Sequence, residues 1–377
     1  MEQFFLPLLY NVSFLAVLLV WLNKEKIETR VKVSNVTLWV VSAIITTISI
    51  VINVLFVIYD LTDVDNVLWT GSEAFIEGTN PYTHQVVEHI DADGEVFYSY
   101  YNYGPVNLIV YSLFFLLFGP LFGEWWLFPA SFLLSIACYF THGAMRRNTE
   151  AMINIGPEQG NSSPLIVWDH QRDLPLFCML VSPFLANNSI LMLLFFMIGQ
   201  YFRQKEQRTL EVIFYVLGAQ VKFMTGLIVA IMLIDQVRDW DLSPKALFPY
   251  FGGFIVYILG ALPFDFYGVI RGELLHQGDP SERTGQITGP VLIEILLFFE
   301  TTYLLIPAAL LIMAVSYWLT VQRPFEDRVI ILCLISLFLL PFYGTELAII
   351  PFALMIFSYT GVLREKQDTF RESETVG

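Results

Sequence analysis

The residues of this chain whose types and spacing best suit chemistry are Asp63 and Asp65, within Thr62-Asp63-Val64-Asp65-Asn66. Two carboxylates set two residues apart can take a proton from a hydroxyl. They can also offer oxygen ligands to a hard cation such as Mg²⁺ or Mn²⁺. The spacing alone is common, because Asp91/Asp93 and Asp239/Asp241 repeat it. Thr62 to Asp65 also has the form of a capping box, with acids where a helix dipole favours them. The surroundings set the first pair apart. From Tyr59 to Gly104 there are nine acidic residues and no Lys or Arg, and the stretch carries Gly78-Thr79-Asn80-Pro81-Tyr82 and ends in Tyr101-Asn102-Tyr103-Gly104-Pro105.

The elements that must hold this acidic island are hydrophobic. Of 377 residues 56% are hydrophobic and only 15% charged, with a mean hydropathy of +0.61. Soluble domains carry about 25% charged residues, so the composition is that of a lipid-embedded chain. The expectation is an all-α integral membrane protein, one polytopic domain over 1–377. The acidic outer loop spans 59–104, and a short charged tail, 364–377, reads as cytoplasmic and disordered. Spans are expected at about 4–22, 36–58, 125–144, 174–186, 189–202, 210–221, 223–235, 247–264, 302–320, 329–343 and 346–363. That makes about eleven crossings.

The apolar run 106–122 is expected not to cross. With that parity, 17 of the 20 Lys and Arg residues fall on the cytoplasmic side, in keeping with the positive-inside rule. Gly119-Pro120 and Gly123 offer places for that run to bend. The run 290–300 reads as a second interfacial or re-entrant piece. The first span lacks a basic leader, and its positive charges follow it, so it reads as an anchor rather than a cleaved signal. Cys138, Cys178 and Cys333 all lie in apolar runs and form no disulfide or zinc pattern.

That parity leaves Lys222, Arg271 and Arg283 as the basic residues at or near the outer face. Lys222 is either a ligand for a phosphate or a snorkelling lysine at the interface. Arg271 and Arg283 stand in the loop 265–289 and are further candidates for phosphate. His276, in the same loop, is a candidate substrate contact, and as readily a solvated histidine. Tyr82, Tyr101 and Tyr103 could pack against a sugar, although aromatic residues are common at membrane interfaces without any ligand.

The run Thr62-Asp63-Val64-Asp65-Asn66, then Gly78-Thr79-Asn80-Pro81-Tyr82, then Tyr101-Asn102-Tyr103-Gly104-Pro105 resembles the first outer loop of GT-C glycosyltransferases. These are the membrane enzymes that use polyprenyl-phosphate sugars. Within them the pattern is similar to the mannosyltransferases that add the first mannose in GPI-anchor synthesis. The similarity is specific over 62–82 and 101–105 and weak elsewhere, and it departs at an acidic insert, 88–95, and at an additional N-terminal span. The resemblance implies a GT-C-type helical bundle whose first outer loop is partly helical. It implies inverting transfer of a sugar, mannose by likeness, from a polyprenyl or dolichyl phosphate to a glycan or lipid-linked acceptor. Asp63 or Asp65 would be the base and Lys222 a partner of the donor phosphate. No cofactor is required, and Mg²⁺ or Mn²⁺ could sit on the pair.

Other classes fare differently. A net charge of −15 argues against nucleic acid as a partner. A small-solute transporter would suit many spans and the polar residues Gln200, Gln220 and Lys222, yet the chain has no internal repeat. A non-catalytic subunit of a glycosylation complex would tolerate neutralising Asp63 and Asp65. The expected location is a prokaryotic plasma membrane with the site facing outward, or the ER membrane in a eukaryote.

Overall fold

Hydrocarbon leaves no partner for a bare N–H or C=O, so apolar runs of this length fold as helices that satisfy their own backbone. A computed structural model describes residues 12–13, 15–24, 34–58, 63–90, 96–153, 172–270, 305–339, 348–360 and 362. After a short N-terminal helical stretch, α1 (Asn35–Ile58) is capped by Ser34, whose hydroxyl accepts from Thr37 N at 3.1 Å. Next, α2 (Asp63–Ile76) ends where Gly78 takes φ +85, with Thr79 N bonding Ala74 O and Gly78 N bonding Phe75 O. That is the pattern of a helix stop which glycine adopts without strain.

An antiparallel hairpin follows, β1 (Val87–Ile90) against β2 (Val96–Ser99), with Val87 opposite Ser99. Pro105 then opens α3 (Pro105–Phe122), and a short 3₁₀ turn leads into α4 (Leu127–Ile153). The remaining helices are α5 (Asp173–Val181), α6 (Ser189–Gln204), α7 (Arg208–Ala219), α8 (Met224–Arg238) and α9 (Pro244–Ala261). They continue as α10 (Phe266–Ile270), α11 (Leu305–Thr320), α12 (Phe325–Leu339) and α13 (Ile349–Tyr359).

Side-chain bonds give the helix directions. Ser42 Oγ donates to Pro175 O at 2.7 Å, and Asn53 Nδ2 to Ser182 O at 3.2 Å, so α1 and α5 run parallel. We term the end holding Ile58, Asn53 and Ser182 the loop face, since α2 and the hairpin follow from it. From there α6 returns to the opposite face, where Gln204 Nε2 donates to Val362 O at 2.8 Å and to Thr149 Oγ1 at 3.2 Å. The end of α4 therefore lies at that opposite face too, while Cys138 in its middle touches Ile190 O near the start of α6. Both α7 and α9 climb back to the loop face side by side, Gly253 packing on Val212 and Val216 and Gly260 on Gln220.

These directions bear on α3. By length and composition Pro105–Trp125 is one of four helical segments apolar enough to cross, with Asn35–Leu55, Leu127–Thr149 and Pro244–Phe264. Yet it starts beside Tyr103 at the loop face, and its last turn stands four residues before α4 begins its own descent from that face. Trp126 folds back onto Tyr111 and Phe115, at centroid distances of 6.1 and 5.5 Å. The helix runs through Gly119-Pro120 and ends at Gly123, which takes φ +55 where the 3₁₀ turn begins. Its outward side is apolar throughout, with Ile109, Leu113, Leu116, Leu117 and Leu121 exposed. Asn107, Tyr111 and Ser112 turn inward.

The face opposite the loops gathers the ion pairs. Arg203 bonds Glu211 (3.2 Å) and Glu326 (3.3 Å), and Arg208 bonds Glu211 at 3.0 Å, tying α6, α7 and α12. Asp235 holds Arg328 at 2.6 Å and also the Tyr317 hydroxyl, tying α8, α11 and α12. Arg146 pairs with Asp173, and Lys24 with Asp327. Lys24, Arg146, Arg203, Arg208 and Arg328, all expected on the cytoplasmic side, therefore share one end of the bundle.

Between the two faces the core is close-packed. Gly199 lets the Tyr215 ring within 2.4 Å of where a Cβ would stand, and Phe196, Met197, Ile228, Leu334 and Phe357 are buried around it. Small residues at helix contacts are the usual membrane solution. On the outside, α1, α4 and α9 present Val40, Ile44, Ile48, Phe132, Phe140, Phe251 and Leu259. Exposed apolar belts of that extent match lipid rather than water. The architecture is a helical membrane bundle, as expected, except for one hairpin where only helix and loop were expected. The calls at 290–300 and 364–377 lie outside the described residues.

Three substitutions, read as two predictions, test this packing. Asn53 donates to Ser49 O and Ser182 O and accepts from Ala186 N, so Asn53→Leu orphans a buried amide. The expected loss is about 1–2 kcal/mol. Glu211→Leu strands two arginines and is expected to cost about 3 kcal/mol, against less than about 1 kcal/mol for Lys24→Ala at a more exposed pair. Thermal unfolding of the detergent-solubilised protein checks both, and equal losses for Glu211→Leu and Lys24→Ala would contradict the assignment of a buried network.

Candidate functional site

The loop face owes its shape to a block of aromatic side chains. Asn80 starts it: its Oδ1 accepts from Tyr82 N at 3.0 Å, closing an Asx turn over Pro81, and its Nδ2 donates to Phe264 O at 2.8 Å. One side chain thus shapes the turn and docks it on the end of α9. Tyr82 then points inward, its hydroxyl donating to Tyr103 O at 2.7 Å. Tyr101 N bonds Pro81 O at 3.0 Å, bringing the second tyrosine run under the first. The rings meet edge to face: Tyr82 to Tyr101 at 5.5 Å, Tyr101 to Tyr103 at 5.8 Å and Tyr82 to Phe264 at 5.6 Å. Such pairs add to burial because ring edges and faces carry opposite partial charge.

This changes the role expected for the tyrosines. Tyr82 and Tyr101 are fully buried and Tyr103 is 8% exposed. Their faces are taken by one another, so Tyr82 and Tyr101 offer none to a sugar. Burial holds the Tyr101 phenol well above its ordinary value, nearby Tyr111 adds to this, and the bond from Asn107 opposes it. Tyr101 is thus a neutral structural phenol.

Lys222 sits in the tight turn joining α7 to α8. Val221 N and Lys222 N both bond Gly218 O at 3.0 Å, and Gly218 lets Thr225 of α8 come close. The ammonium is carried to the loop face and is 9% exposed. Its Nζ stands 3.2 Å from Asn187 Oδ1 and 5.8 Å from the centre of the Tyr103 ring. Asn187 Oδ1 also accepts from Ser189 N at 2.9 Å and Ser189 Oγ at 2.7 Å, which fixes it at the head of α6. An amide oxygen and a ring face both orient an ammonium. Among the described residues Lys222 is the one Lys or Arg at this face.

Asp63 and Asp65 form the first turn of α2. Two turns on, Gly71 rests on the Tyr101 ring, and Trp69 packs on Phe115 at 4.8 Å. The helix that begins with the acid pair and the turn that holds Lys222 are therefore mounted on the same aromatic block. Arg271, His276 and Arg283 lie outside the described residues.

Sequence reasoning passed over four residues of this site. Asn80 and Phe264 join loops 184 positions apart, for which a single sequence gives no sign. Gly71 reads as an ordinary helix glycine. Asn187 had one signal, the polar Asn187-Asn188-Ser189 between two apolar runs. The hairpin had one too: Asp93-Gly94 between runs of β-formers. Compared with models of known protein families, with curated proteins and with solved structures, the chain has no match.

Proposed function

We propose that this protein is a membrane glycosyltransferase of GT-C type. In this reading it moves a sugar, mannose by sequence likeness, from a polyprenyl or dolichyl phosphate to a hydroxyl of a glycan or lipid-linked acceptor. The chain makes eleven crossings, with α3 lying in the outer half of the bilayer. The loop face is the outer or luminal one, and the face of the ion pairs is cytoplasmic.

The observation that carries the reading is a juxtaposition. An acid pair at the head of α2 and a lysine at the head of α8 are held by one aromatic block at the end of a lipid-embedded bundle. A polyprenyl phosphate presents its sugar at that depth, with its tail in hydrocarbon.

The chemistry follows from those groups. One carboxylate, Asp63 or Asp65, takes the proton of the acceptor hydroxyl. The freed oxygen attacks the anomeric carbon from the side opposite the phosphate, and the bond from carbon to phosphate oxygen breaks with its electron pair. Configuration inverts, and polyprenyl phosphate leaves. Lys222 steadies the charge that grows on the departing phosphate. Arg271 and Arg283 are further candidates for that task, and His276 for contact with substrate. The step as written moves no electron through a metal, though the acid pair has the oxygen ligands Mg²⁺ or Mn²⁺ would use.

Membranes bearing the protein should transfer labelled mannose from dolichyl-phosphate mannose. Asp63→Asn or Asp65→Asn is expected to lower the rate by about 10²–10⁴-fold, the span of general base catalysis. Lys222→Met should raise the donor KM by about 10-fold or more, the equivalent of one charged hydrogen bond. Transfer that is unchanged in all three variants would refute the site, and absence of transfer with this and other polyprenyl-phosphate sugars would refute the function.

A further inference from the structure

We infer that Tyr101 is a positioning residue: seated against Gly71, it sets where the first turn of α2, with Asp63 and Asp65, stands relative to Lys222. The inference rests on the transferase reading for its kinetic consequence, and on packing alone for its structural one.

The contact is unusually close. A Cβ built on Gly71 would lie 2.4 Å from Tyr101 Cδ2 and 2.5 Å from Cε2. Only a residue without a side chain lets the helix backbone lie on the ring at that distance. The ring in turn has no slack. Asn107 Nδ2 donates to its hydroxyl at 3.2 Å, Pro81 O accepts from its backbone N–H at 3.0 Å, and Tyr82 and Tyr103 abut its edges and faces. Tyr103 then meets the Lys222 ammonium at 5.8 Å. A continuous path of contacts thus runs from α2 through Tyr101 and Tyr103 to the cation.

Leverage makes the contact matter. Asp63 stands eight residues before Gly71, about 12 Å along the axis at 1.5 Å per residue. A tilt of about 10° at the glycine would move that turn by about 2 Å. Misplacement of reacting groups by about 1 Å can cost about 10²-fold in rate. Burial of the tyrosines, which removes them as a sugar platform, is what this role requires.

The test pairs an added methyl with a removed ring, in the full-length protein in nanodiscs. Gly71→Ala forces a methyl into Tyr101, whereas in a Tyr101→Val background the space is open. Gly71→Ala alone is expected to lower kcat about 100-fold, with the donor KM within about threefold because Lys222 and Asn187 stay on the bundle. In the Tyr101→Val background the same change should cost less than about threefold, a strong coupling of the kind contacting residues show. Tyr101→Phe, which keeps the ring, should retain activity within a few-fold.

Hydrogen exchange supplies a readout that needs no reaction. Amides of 63–76 should exchange about 10-fold faster in Gly71→Ala than in the wild type, and amides of 189–204 should not change. Unchanged exchange in 63–76, or an equal rise across 189–204, would overturn the inference. So would an equal cost of Gly71→Ala in both backgrounds. The expected exchange pattern in a protein that transfers no sugar would uphold the contact and overturn the transferase reading alone.

Discussion

Hydrocarbon solvates neither a charge nor an unpaired amide, and each polar group in the described bundle has to answer that constraint. At one end the answer is ionic. Arg203, Arg208, Glu211 and Glu326 balance their charges in a single cluster, and Asp235 joins Arg328 to Tyr317. In the middle it is a few amides and hydroxyls, such as Asn53 against Ser182 and Ala186, which peg the mostly lipid-facing α1 to the corner between α5 and α6. At the other end it is aromatic. Tyr82 and Tyr101 bury their rings and spend their hydroxyls on the Tyr103 carbonyl and the Asn107 amide, so a polar loop can sit on an apolar bundle.

That difference between the ends has a functional meaning. Ion pairs saturate charge, and a saturated cluster has little left for a ligand. An aromatic block saturates nothing. It holds shape and sets the Lys222 ammonium beside the Asn187 amide oxygen and the Tyr103 ring. A rigid, largely neutral platform with charges mounted at its edges is the kind of preorganised surface that can respond to charge developing on a substrate.

Much of the bundle could be read from sequence because the signals are local and strong. The runs at 36–58, 189–202, 223–235 and 247–264 became helices within a few residues of the expected ends, since hydropathy, Ser34, Gly78 and Pro105 all act over one or two turns. The shared end of Arg146, Arg203, Arg208, Arg238 and Arg328 was legible from charge alone. The site was legible only in its ingredients. Lys222 was placed at the loop face, but its partner Asn187 lies 35 positions away, and a hydrogen bond between distant residues leaves no period in the sequence. The tyrosines were legible as members of the site but not their packing, because residue type tells that a ring wants burial and not what will bury it. The hairpin was missed because the acids of the insert drew attention from its β-branched and aromatic flanks.

The route of α3 decides how these parts meet the lipid. Had it crossed, α4 would have returned to the loop face, and Arg146 could not have met Asp173 at the end where α5 begins. The two surfaces of α3 are divided by chemistry: Ile109, Leu113, Leu117 and Leu121 outward, Asn107, Tyr111 and Ser112 inward. The inward side supports Tyr101 through Asn107 and Trp69 through Phe115. The same helix is therefore both wall to the lipid and floor to the aromatic block.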